Sequence, residues 1–250
     1  MIEFKNVTFS YDKKKNAIKD VTFTLNDGEC AILLGPNGVG KTTILRCILG
    51  ELKPTSGTVL INNKDNKGLK NKDLSKAISF VPQNINGTDL TVNETILLGR
   101  LPSFDLFPKR DDYIALNDVL NEFSLNEIKD KNTFEISGGE KQKVAIARAY
   151  IQNTSTIIFD EPTSNLDIKA QVMIASLIKK ITKENKRSTL ISMHDINLAL
   201  SLADKLILLK DEQIYKITTP KEITSEDLET IYGIKTIIKE IDGRKVIIYE

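Results

Sequence analysis

The feature that most constrains the fold of this chain is a glycine-rich segment between a short apolar run, 31–34, and a stretch with helical spacing, 43–49. The segment consists of Gly35, Pro36, Asn37, Gly38, Val39, Gly40, Lys41, Thr42 and Thr43. It matches G-x-x-x-x-G-K-[S/T], in which glycines let backbone N–H groups turn toward a phosphate and the next helix presents its positive N-terminus. In such a loop Lys41 reaches the β- and γ-phosphates and the Thr42 hydroxyl ligates Mg²⁺. The sequence therefore predicts a nucleotide-binding loop at the end of a buried strand.

Composition limits the kinds of partner. Among 250 residues, 35 basic side chains stand against 34 acidic ones. A protein built to grip nucleic acid normally carries a clear basic excess, so no nucleic-acid partner is expected. No stretch approaches the roughly 20 apolar residues that cross a bilayer, and the first residues lack the apolar core of a signal peptide. Cys30 and Cys47 lie in apolar segments without metal-ligand spacing, which predicts buried, reduced thiols in a cytosolic protein.

The distribution of apolar residues predicts an α/β fold. The predicted strands are 2–9, 17–25, 31–34, 58–61, 77–81, 156–159, 188–192 and 205–209, and the predicted helices are 43–49, 92–98, 111–123, 140–151, 169–184 and 196–202. The alternation of strand and helix after residue 155 is typical of βαβ units and a mostly parallel sheet. A closing hairpin is predicted around Asp242-Gly243, from 234–241 and 245–249. The Asn- and Lys-rich segment 62–73 is interpreted as a solvated loop.

Two carboxylates follow the apolar strand 156–159. A strand that ends in this way can deliver Asp160 to the metal shell of a bound nucleotide. The neighbouring Glu161 is placed to polarise an attacking water as a general base. Many strands end in acidic residues at a surface loop. This pair indicates a catalytic site because a phosphate loop lies upstream in the chain.

A second glycine-rich segment, Ser137-Gly138-Gly139-Glu140, precedes a predicted helix. Its hydroxyl and backbone donors at a helix start form an anion-binding device. Because one phosphate loop already holds the nucleotide, a second anion site would serve a nucleotide on another chain. The alternative is that Ser137 only caps the helix, and the residues alone leave both interpretations open.

The order of these motifs resembles that of the ATP-binding-cassette (ABC) family over essentially the whole chain. The shared motifs are the phosphate loop, Ser137-Gly138-Gly139, Asp160-Glu161 and Ser164-Asn165-Leu166-Asp167. The resemblance implies a P-loop NTPase core with a mostly parallel sheet, about 1–88 and 155–220, and an N-terminal antiparallel β subdomain. It also implies an inserted helical subdomain, about 89–154, and a C-terminal helix and hairpin, about 221–250. ATP and Mg²⁺ are the implied ligands, and a head-to-tail homodimer is implied in which each 137–140 signature closes over the partner's nucleotide.

Further residues gain a role from the resemblance. Tyr11 falls where the family places an aromatic ring that stacks on adenine. Gln83 is similar to the glutamine that senses Mg²⁺ and the γ-phosphate and contacts the membrane subunits. His194, the single histidine, resembles the switch histidine that fixes the catalytic geometry, and Asp167 matches the aspartate that contacts the opposite subunit. The implied Mg²⁺ ligands are Thr42, Gln83 and Asp160, and the implied catalytic set is Glu161, His194, Lys41 and Gln83.

Two local features resemble the ATPases of metal-chelate importers. They are the segment 91–102, TVNETILLGRLP, and the tail that contains 231–234 and the hairpin. The resemblance implies uptake of a siderophore, haem or cobalamin through separate membrane permease subunits, indirectly with a substrate-binding protein, at the cytoplasmic face of the membrane. The alternatives are a zinc or manganese importer, an exporter, and the ABC ATPases of DNA repair and ribosomes. The cargo itself is chosen by subunits outside this chain.

The signature departs from the commonest family form at two positions. Ile136 stands where Leu is usual, and Glu140 stands where Gln is usual. A carboxylate at a helix start suits the helix dipole. Similar Glu-bearing signatures occur in working importers, so an active site is still expected.

Overall fold

The computed structural model describes residues 1–12, 15–103 and 107–250, and a lysine-rich turn that the sequence predicts at 12–16 lies partly outside them. The strands are β1 (Ile2–Asp12), β2 (Lys15–Leu25), β3 (Cys30–Leu34), β4 (Ser56–Ile61), β5 (Lys64–Asp65), β6 (Ile78–Val81), β7 (Thr156–Asp160), β8 (Ser188–Ser192), β9 (Lys205–Lys210), β10 (Gln213–Thr218), β11 (Thr236–Ile241) and β12 (Arg244–Tyr249). The α-helices are α1 (Lys41–Ile48), α2 (Asn71–Ala77), α3 (Val92–Leu97), α4 (Arg110–Glu122), α5 (Gly138–Ile151), α6 (Ile168–Lys183), α7 (Ile196–Leu202) and α8 (Ser225–Tyr232). They form two compact units, the first from Met1–Leu69 and Ile178–Glu250 and the second from Lys70–Leu177.

The first unit begins with an antiparallel sheet in the order β2-β1-β4-β5. Ile2 pairs with Leu25 on one side and with Ile61 on the other. Phe4 and Phe23 stack on the buried face with their ring centroids 5.2 Å apart. This sheet confirms the N-terminal antiparallel β subdomain that the sequence predicts.

A second sheet of the first unit has the order β10-β9-β3-β8. β3 runs parallel to β8 and β9, and β10 runs antiparallel to β9. Every residue of β3 and β8 is buried, as in parallel strands covered on both faces. Because the carboxyl ends of parallel strands meet at one edge of a sheet, Gly35 after β3 and Met193 after β8 leave this sheet side by side.

The second unit contains the parallel pair β6 and β7 and, between them in the chain, the helices α3 to α5. α5 packs against α3 and α4, and the rings of Phe123 and Tyr150 lie 5.2 Å apart in this helical part. The mixed α/β fold with mostly parallel strands is the predicted class. The limits predicted for the subdomains remain a prediction.

Segment 62–73 is solvated as predicted, since all its residues except Asn66 and Leu69 are exposed, but the prediction that it is a simple loop is wrong. This segment contains β5, a 3₁₀ turn at Asn66–Gly68 and the start of α2. Asn66 is buried, and its Nδ2 donates to the carbonyl of Cys47 at 2.7 Å. A polar composition suggested a loop because the sequence does not reveal that one amide of this segment satisfies the C-terminal end of α1.

The C-terminal part of the chain forms α8 and the hairpin β11–β12. The turn at Asp242 and Gly243 is confirmed, with φ of 51° and 73°, the positive values that a tight hairpin turn requires. Asn197 on α7 attaches the hairpin: its Nδ2 donates to the carbonyl of Ile247 at 3.1 Å, and its Oδ1 accepts from the Ile247 N–H at 2.7 Å. The prediction for the two cysteines is confirmed, since both are free and buried.

Among the described residues, none of the helices combines the length and the apolar character that crossing a bilayer demands.

Candidate nucleotide-binding and hydrolysis residues

Backbone conformation accounts for the glycines of the phosphate loop. Gly40 has φ +109°, and a Cβ at this position would lie 2.6 Å from the carbonyl oxygen of Ala17 and 2.6 Å from Ile18 Cγ2. Gly38 has φ +80°, which L residues rarely adopt. The Ile44 N–H then donates to the Gly40 carbonyl at 2.9 Å and starts α1. The loop therefore turns directly from a buried strand into a helix N-terminus, the arrangement that binds phosphate.

Lys41 folds back over this loop. The side chain is only 6% exposed, and its ammonium donates to the carbonyl of Gly35 at 2.7 Å and to that of Pro36 at 3.1 Å. A buried ammonium is costly unless acceptors surround it. Phosphate oxygens are stronger acceptors than carbonyls, so the same cluster suits the predicted phosphate contact.

Tyr11 lies beside the loop. Its ring is 64% exposed and packs edge-on against Phe9, with centroids 5.0 Å apart. Its hydroxyl is 3.3 Å from Thr43 Oγ1. The aromatic face predicted to stack on adenine is thus held at the loop and open to a base.

His194 lies at the same sheet edge as the phosphate loop. Leu33 of β3 pairs with Ser192 of β8, and the Met193 N–H donates to the Leu33 carbonyl at 3.2 Å. His194 follows as an exposed residue. Within the first unit, the structure therefore brings Tyr11 to the 35–43 loop and places His194 at the same sheet edge as that loop.

In the second unit Gln83 and Glu161 meet. Each lies two residues beyond a paired position, since Val81 of β6 pairs with Phe159 of β7. Gln83 Nε2 donates to Glu161 Oε2 at 2.7 Å. The Glu161 carbonyl accepts from Ser164 N–H at 3.1 Å and from Ser164 Oγ at 2.9 Å. These bonds hold the carboxylate and its neighbouring amide as one preorganised group.

Glu161 has a strained backbone. Its φ of 48° lies in the left-handed region, which costs a residue with a side chain about 1–2 kcal/mol. Such strain persists where surrounding structure fixes it, and it is common at active sites. The conformation supports a functional position for this carboxylate.

The predicted metal ligands have the right chemistry for Mg²⁺. Asp160 is 6% exposed at the end of β7. Its carboxylate, the Gln83 amide oxygen and the Thr42 hydroxyl are hard oxygen donors of the kind that Mg²⁺ prefers. The Gln83 amide N–H donates to Glu161, so the side-chain carbonyl oxygen of Gln83 remains able to accept a hydrogen bond or to ligate a metal ion. Each of these residues therefore has the donor chemistry that suits the ion.

Ser137 caps α5 through a capping box. Ser137 Oγ accepts from the Glu140 N–H at 3.3 Å, and Glu140 Oε2 accepts from the Ser137 N–H at 2.8 Å and from its hydroxyl at 2.7 Å. The bonds from the Ser137 side chain and backbone hold the pKa of Glu140 below its ordinary value. The carboxylate is therefore accommodated locally, because Glu140 closes the capping box, a task that Gln can also perform.

Capping alone does not account for Gly138. It lies in the first turn of α5 without a positive φ. A Cβ on it would come no closer than 3.9 Å to Leu166 Cδ2, whereas one on Gly139 would lie 3.0 Å from Ala170 Cβ. The fold of this unit has room for a side chain at 138. Packing within this unit therefore does not require glycine at 138, and the anion site remains a prediction.

Asp167 caps the start of α6. Its Oδ1 accepts from the Ala170 N–H at 2.7 Å, and its carbonyl accepts from the Gln171 N–H at 2.9 Å. The side chain is also exposed, so it is available to a partner. The contact with an opposite subunit remains a prediction.

The second unit also carries an apolar groove that the sequence analysis did not assign residue by residue. Its lining includes Ile85, Leu90, Leu98, Val144, Ala145 and Arg148. Leu90 and Leu98 are 37% and 39% exposed. Residues 144 and 148 lie on the same face of α5, and this spacing was the indication of the groove in the sequence. The sequence does not reveal that this helix face lies next to 85–98.

The sequence pattern of the family described as ABC transporter matches residues 18–164, which is more than half of this chain. A petrobactin import ATP-binding protein of Bacillus subtilis is 32% identical over 251 residues, and the match covers 100% of this chain and 99% of that protein.

Two solved structures are similar to this chain over most or all of its length. A metal-chelate type ABC transporter in an inward-facing conformation matches with a TM-score of 0.85 and 25% identity, covering 100% of this chain and 96% of that chain. A dimeric ATP-binding cassette in a post-hydrolysis state, bound to ADP and Pi, matches with a TM-score of 0.78 and 31% identity, covering 88% of this chain and 98% of that chain.

Proposed function

This chain belongs to the ABC transporter family, and from that premise we propose that it is the ATP-hydrolysing subunit of an importer of metal chelates. The cargo class is siderophore, haem or cobalamin. The observation that carries the hydrolytic role is the Gln83–Glu161 hydrogen bond of 2.7 Å, with Glu161 in a left-handed conformation. A fixed carboxylate beside a second polar group is suited to orient and deprotonate a water.

The phosphate loop binds the triphosphate. Lys41 exchanges its carbonyl acceptors for phosphate oxygens, and Tyr11 stacks on the base. Glu161 takes a proton from the attacking water, and His194 fixes the γ-phosphate for an in-line displacement. When bound through Thr42, Gln83 and Asp160, Mg²⁺ supplies charge neutralisation on the phosphates.

The working form is a homodimer with composite sites. Gly138 supports this, since it is exposed in the first turn of α5, where the absence of a side chain lets a partner's γ-phosphate approach the helix N-terminus. Asp167 contacts the opposite subunit. The dimer of the similar cassette bound to ADP and Pi is consistent with this arrangement.

Separate permease subunits lie in the membrane, and this chain acts on them from the cytoplasmic face. The apolar groove that includes Ile85, Leu90 and Leu98 follows Gln83 directly in the chain. An apolar side chain of a permease segment can enter this small pocket, where Leu90 and Leu98 supply apolar contacts. ATP binding closes the dimer, and Gln83 transmits this closure to the apolar groove. The helical subdomain, 89–154, moves as the dimer closes.

The chelate cargo is supported by whole-chain similarity. The petrobactin import protein and the metal-chelate type transporter each match 100% of this chain, whereas the dimeric cassette matches 88%. Uptake of a labelled ferric siderophore by cells that express this chain with its permease should stop in a Glu161→Gln strain. Uptake of zinc instead, or efflux of a substrate, would assign a different cargo class.

Glu161→Gln tests the hydrolytic role. The variant keeps shape and the hydrogen bond from Gln83 but loses the base, so kcat should fall about a hundredfold or more with ATP binding retained. Glu127→Gln is the matched control, because Glu127 is an exposed residue of the same unit. Steady-state ATPase rates and ATP titrations measure both quantities. Full turnover in Glu161→Gln would remove Glu161 from its assigned role.

A further inference from the structure

Asn197 lies in the first turn of α7, three residues after His194, and the mechanism above does not use it. Its half-buried side chain bonds one residue of the C-terminal hairpin twice. Asn197 Nδ2 donates to the Ile247 carbonyl at 3.1 Å, and Oδ1 accepts from the Ile247 N–H at 2.7 Å. An amide that uses both its donor and its acceptor on one backbone residue fixes the orientation of the two elements as well as their distance.

These two bonds lie on the outer edge of β12. Ile247 pairs with Ile238 of β11. In an antiparallel ladder, every second residue directs its N–H and its carbonyl away from the partner strand. The amide of Asn197 therefore takes the place that a further strand would occupy. The Ile247 residue is only 3% exposed, so α7 is joined to the hairpin at a buried point.

The hairpin is anchored elsewhere in the same unit. The Lys245 ammonium donates to the Ile223 carbonyl at 2.8 Å, and β11 packs against α8. α8 is in turn tied to β10, because the Lys216 ammonium pairs with the buried Asp227 carboxylate at 2.9 Å. A two-stranded hairpin alone is marginally stable in water, and these contacts make it a support that can hold α7.

α7 depends on its surroundings for its position. It has seven residues, and an isolated helix of this length is not stable in water. The helix packs against β3 and β12. Asp195 caps it, since its Oδ1 accepts from the Leu198 N–H at 2.9 Å and its carbonyl accepts from the Ala199 N–H at 2.9 Å. The backbone of Asp195 therefore keeps the orientation of α7.

His194 lies between two residues that are each held in place. On one side, the Met193 N–H donates to the Leu33 carbonyl at 3.2 Å, which ties it to the strand before the phosphate loop. On the other side, Asp195 is the N-cap of α7. The sheet and α7 together therefore set the direction of the His194 backbone, and a tilt of α7 would displace the imidazole.

We propose that Asn197 is a positioning residue for hydrolysis, which holds α7 against the hairpin so that His194 meets the γ-phosphate. The inference rests on the proposed function, in which His194 fixes the γ-phosphate. Alignment of the reacting groups lowers the barrier of the chemical step, so loss of the two bonds should lower kcat. Nucleotide binding uses the phosphate loop and Tyr11, so the KM for ATP should change little.

The test uses two substitutions of Asn197. Asn197→Asp keeps the shape and can accept from the Ile247 N–H, but it has no N–H to donate to the Ile247 carbonyl. A carboxylate in the first turn of a helix is favourable, so this variant should fold. Asn197→Ala removes both bonds without adding a charge. Ser201→Ala is the control on the same helix, because the Ser201 hydroxyl donates within α7, to the Leu198 carbonyl at 2.7 Å.

Each substitution is made in the wild type and in a His194→Ala protein. The kcat, the KM for ATP and the thermal midpoint are measured for every variant. A residue that acts through His194 loses its effect on kcat when His194 is absent, whereas a residue that only stabilises the fold keeps the same effect in both backgrounds.

In the wild-type background, both Asn197 substitutions should lower kcat about tenfold and keep the KM for ATP within about twofold. In the His194→Ala background they should change kcat by less than about twofold. Ser201→Ala should match the wild type. An unchanged kcat in both Asn197 variants, with or without a lowered thermal midpoint, or an equal loss of kcat in both backgrounds, would overturn the proposal. Full turnover in His194→Ala, or a wild-type protein that neither binds nor hydrolyses ATP, would overturn the proposed function instead.

Discussion

At the scale of single residues, the glycines of the two glycine-rich segments differ in their backbone conformation and in the space around them. Gly40 has a positive φ and backbone atoms where a side chain would stand, so the fold itself demands glycine. Gly138 has neither restriction. The contrast separates a glycine that the phosphate loop requires from one that packing within its own unit does not require.

Gly40→Ala should destabilise the protein. The unfavourable φ alone costs about 1–3 kcal/mol, and the close approach to Ala17 adds to it. Unfolding by urea, followed by circular dichroism, measures the loss. The variant should also fail to bind ATP, since the loop has to shift to admit the Cβ. A stability equal to that of wild type would contradict this account of the loop.

Gly138→Ala should leave stability unchanged and impair hydrolysis. Alanine is a better helix former than glycine, and space is available for its Cβ. A methyl group where a partner's phosphate approaches should displace it and lower kcat about a hundredfold. Gly68→Ala is the control, because a Cβ at Gly68 would likewise be tolerated, with no atom within 4 Å. Equal ATPase rates in both variants would favour the cap as the sole role of the segment.

At the scale of elements, the start of α5 shows the helix cap, one of the two alternatives that the sequence left open. The capping box between Ser137 and Glu140 is present in full. It satisfies N–H groups that a helix start leaves without partners. The same exposed turn carries the free space at Gly138, so a cap and an anion site are compatible here.

The capping carboxylate predicts a pH dependence. Bonds from Ser137 lower the pKa of folded Glu140, so its contribution to stability is complete above the pKa of the unfolded chain. That contribution is lost as pH falls through the folded value. Wild type should therefore exceed Glu140→Gln in stability at neutral pH, and the difference should shrink in acid. Urea unfolding of both proteins across pH measures it, and parallel curves would contradict the assignment.

Elements with strong local patterns were predictable from the sequence. The buried strands β3 and β8 and the helix α7 follow directly from apolar runs and helical spacing. β10 was missed because its residues alternate between exposed and half-buried beside a polar turn, and α2 was missed because none of its residues is buried. The candidate residues were predictable as motifs. The Gln83–Glu161 bond was not, since it joins residues far apart in the chain.

At the scale of the whole molecule, the candidate residues are divided between two compact units. The first carries Tyr11, the phosphate loop and His194, and the second carries Gln83, Asp160, Glu161 and the 137–140 signature. In the proposed dimer a complete site also needs the signature of the partner. Hydrolysis should then depend on assembly, and neither copy should be sufficient alone.

Mixing two inactive variants tests this central claim most directly. Glu161→Gln lacks the base and Gly138→Ala lacks a functional signature, but a mixed head-to-tail dimer contains one site with neither defect. The ATPase rate of an equimolar mixture should therefore rise to about a quarter of the wild-type rate if the copies pair at random and the sites act independently. A mixture no more active than the average of the two variants would mean that the signature does not act across a dimer.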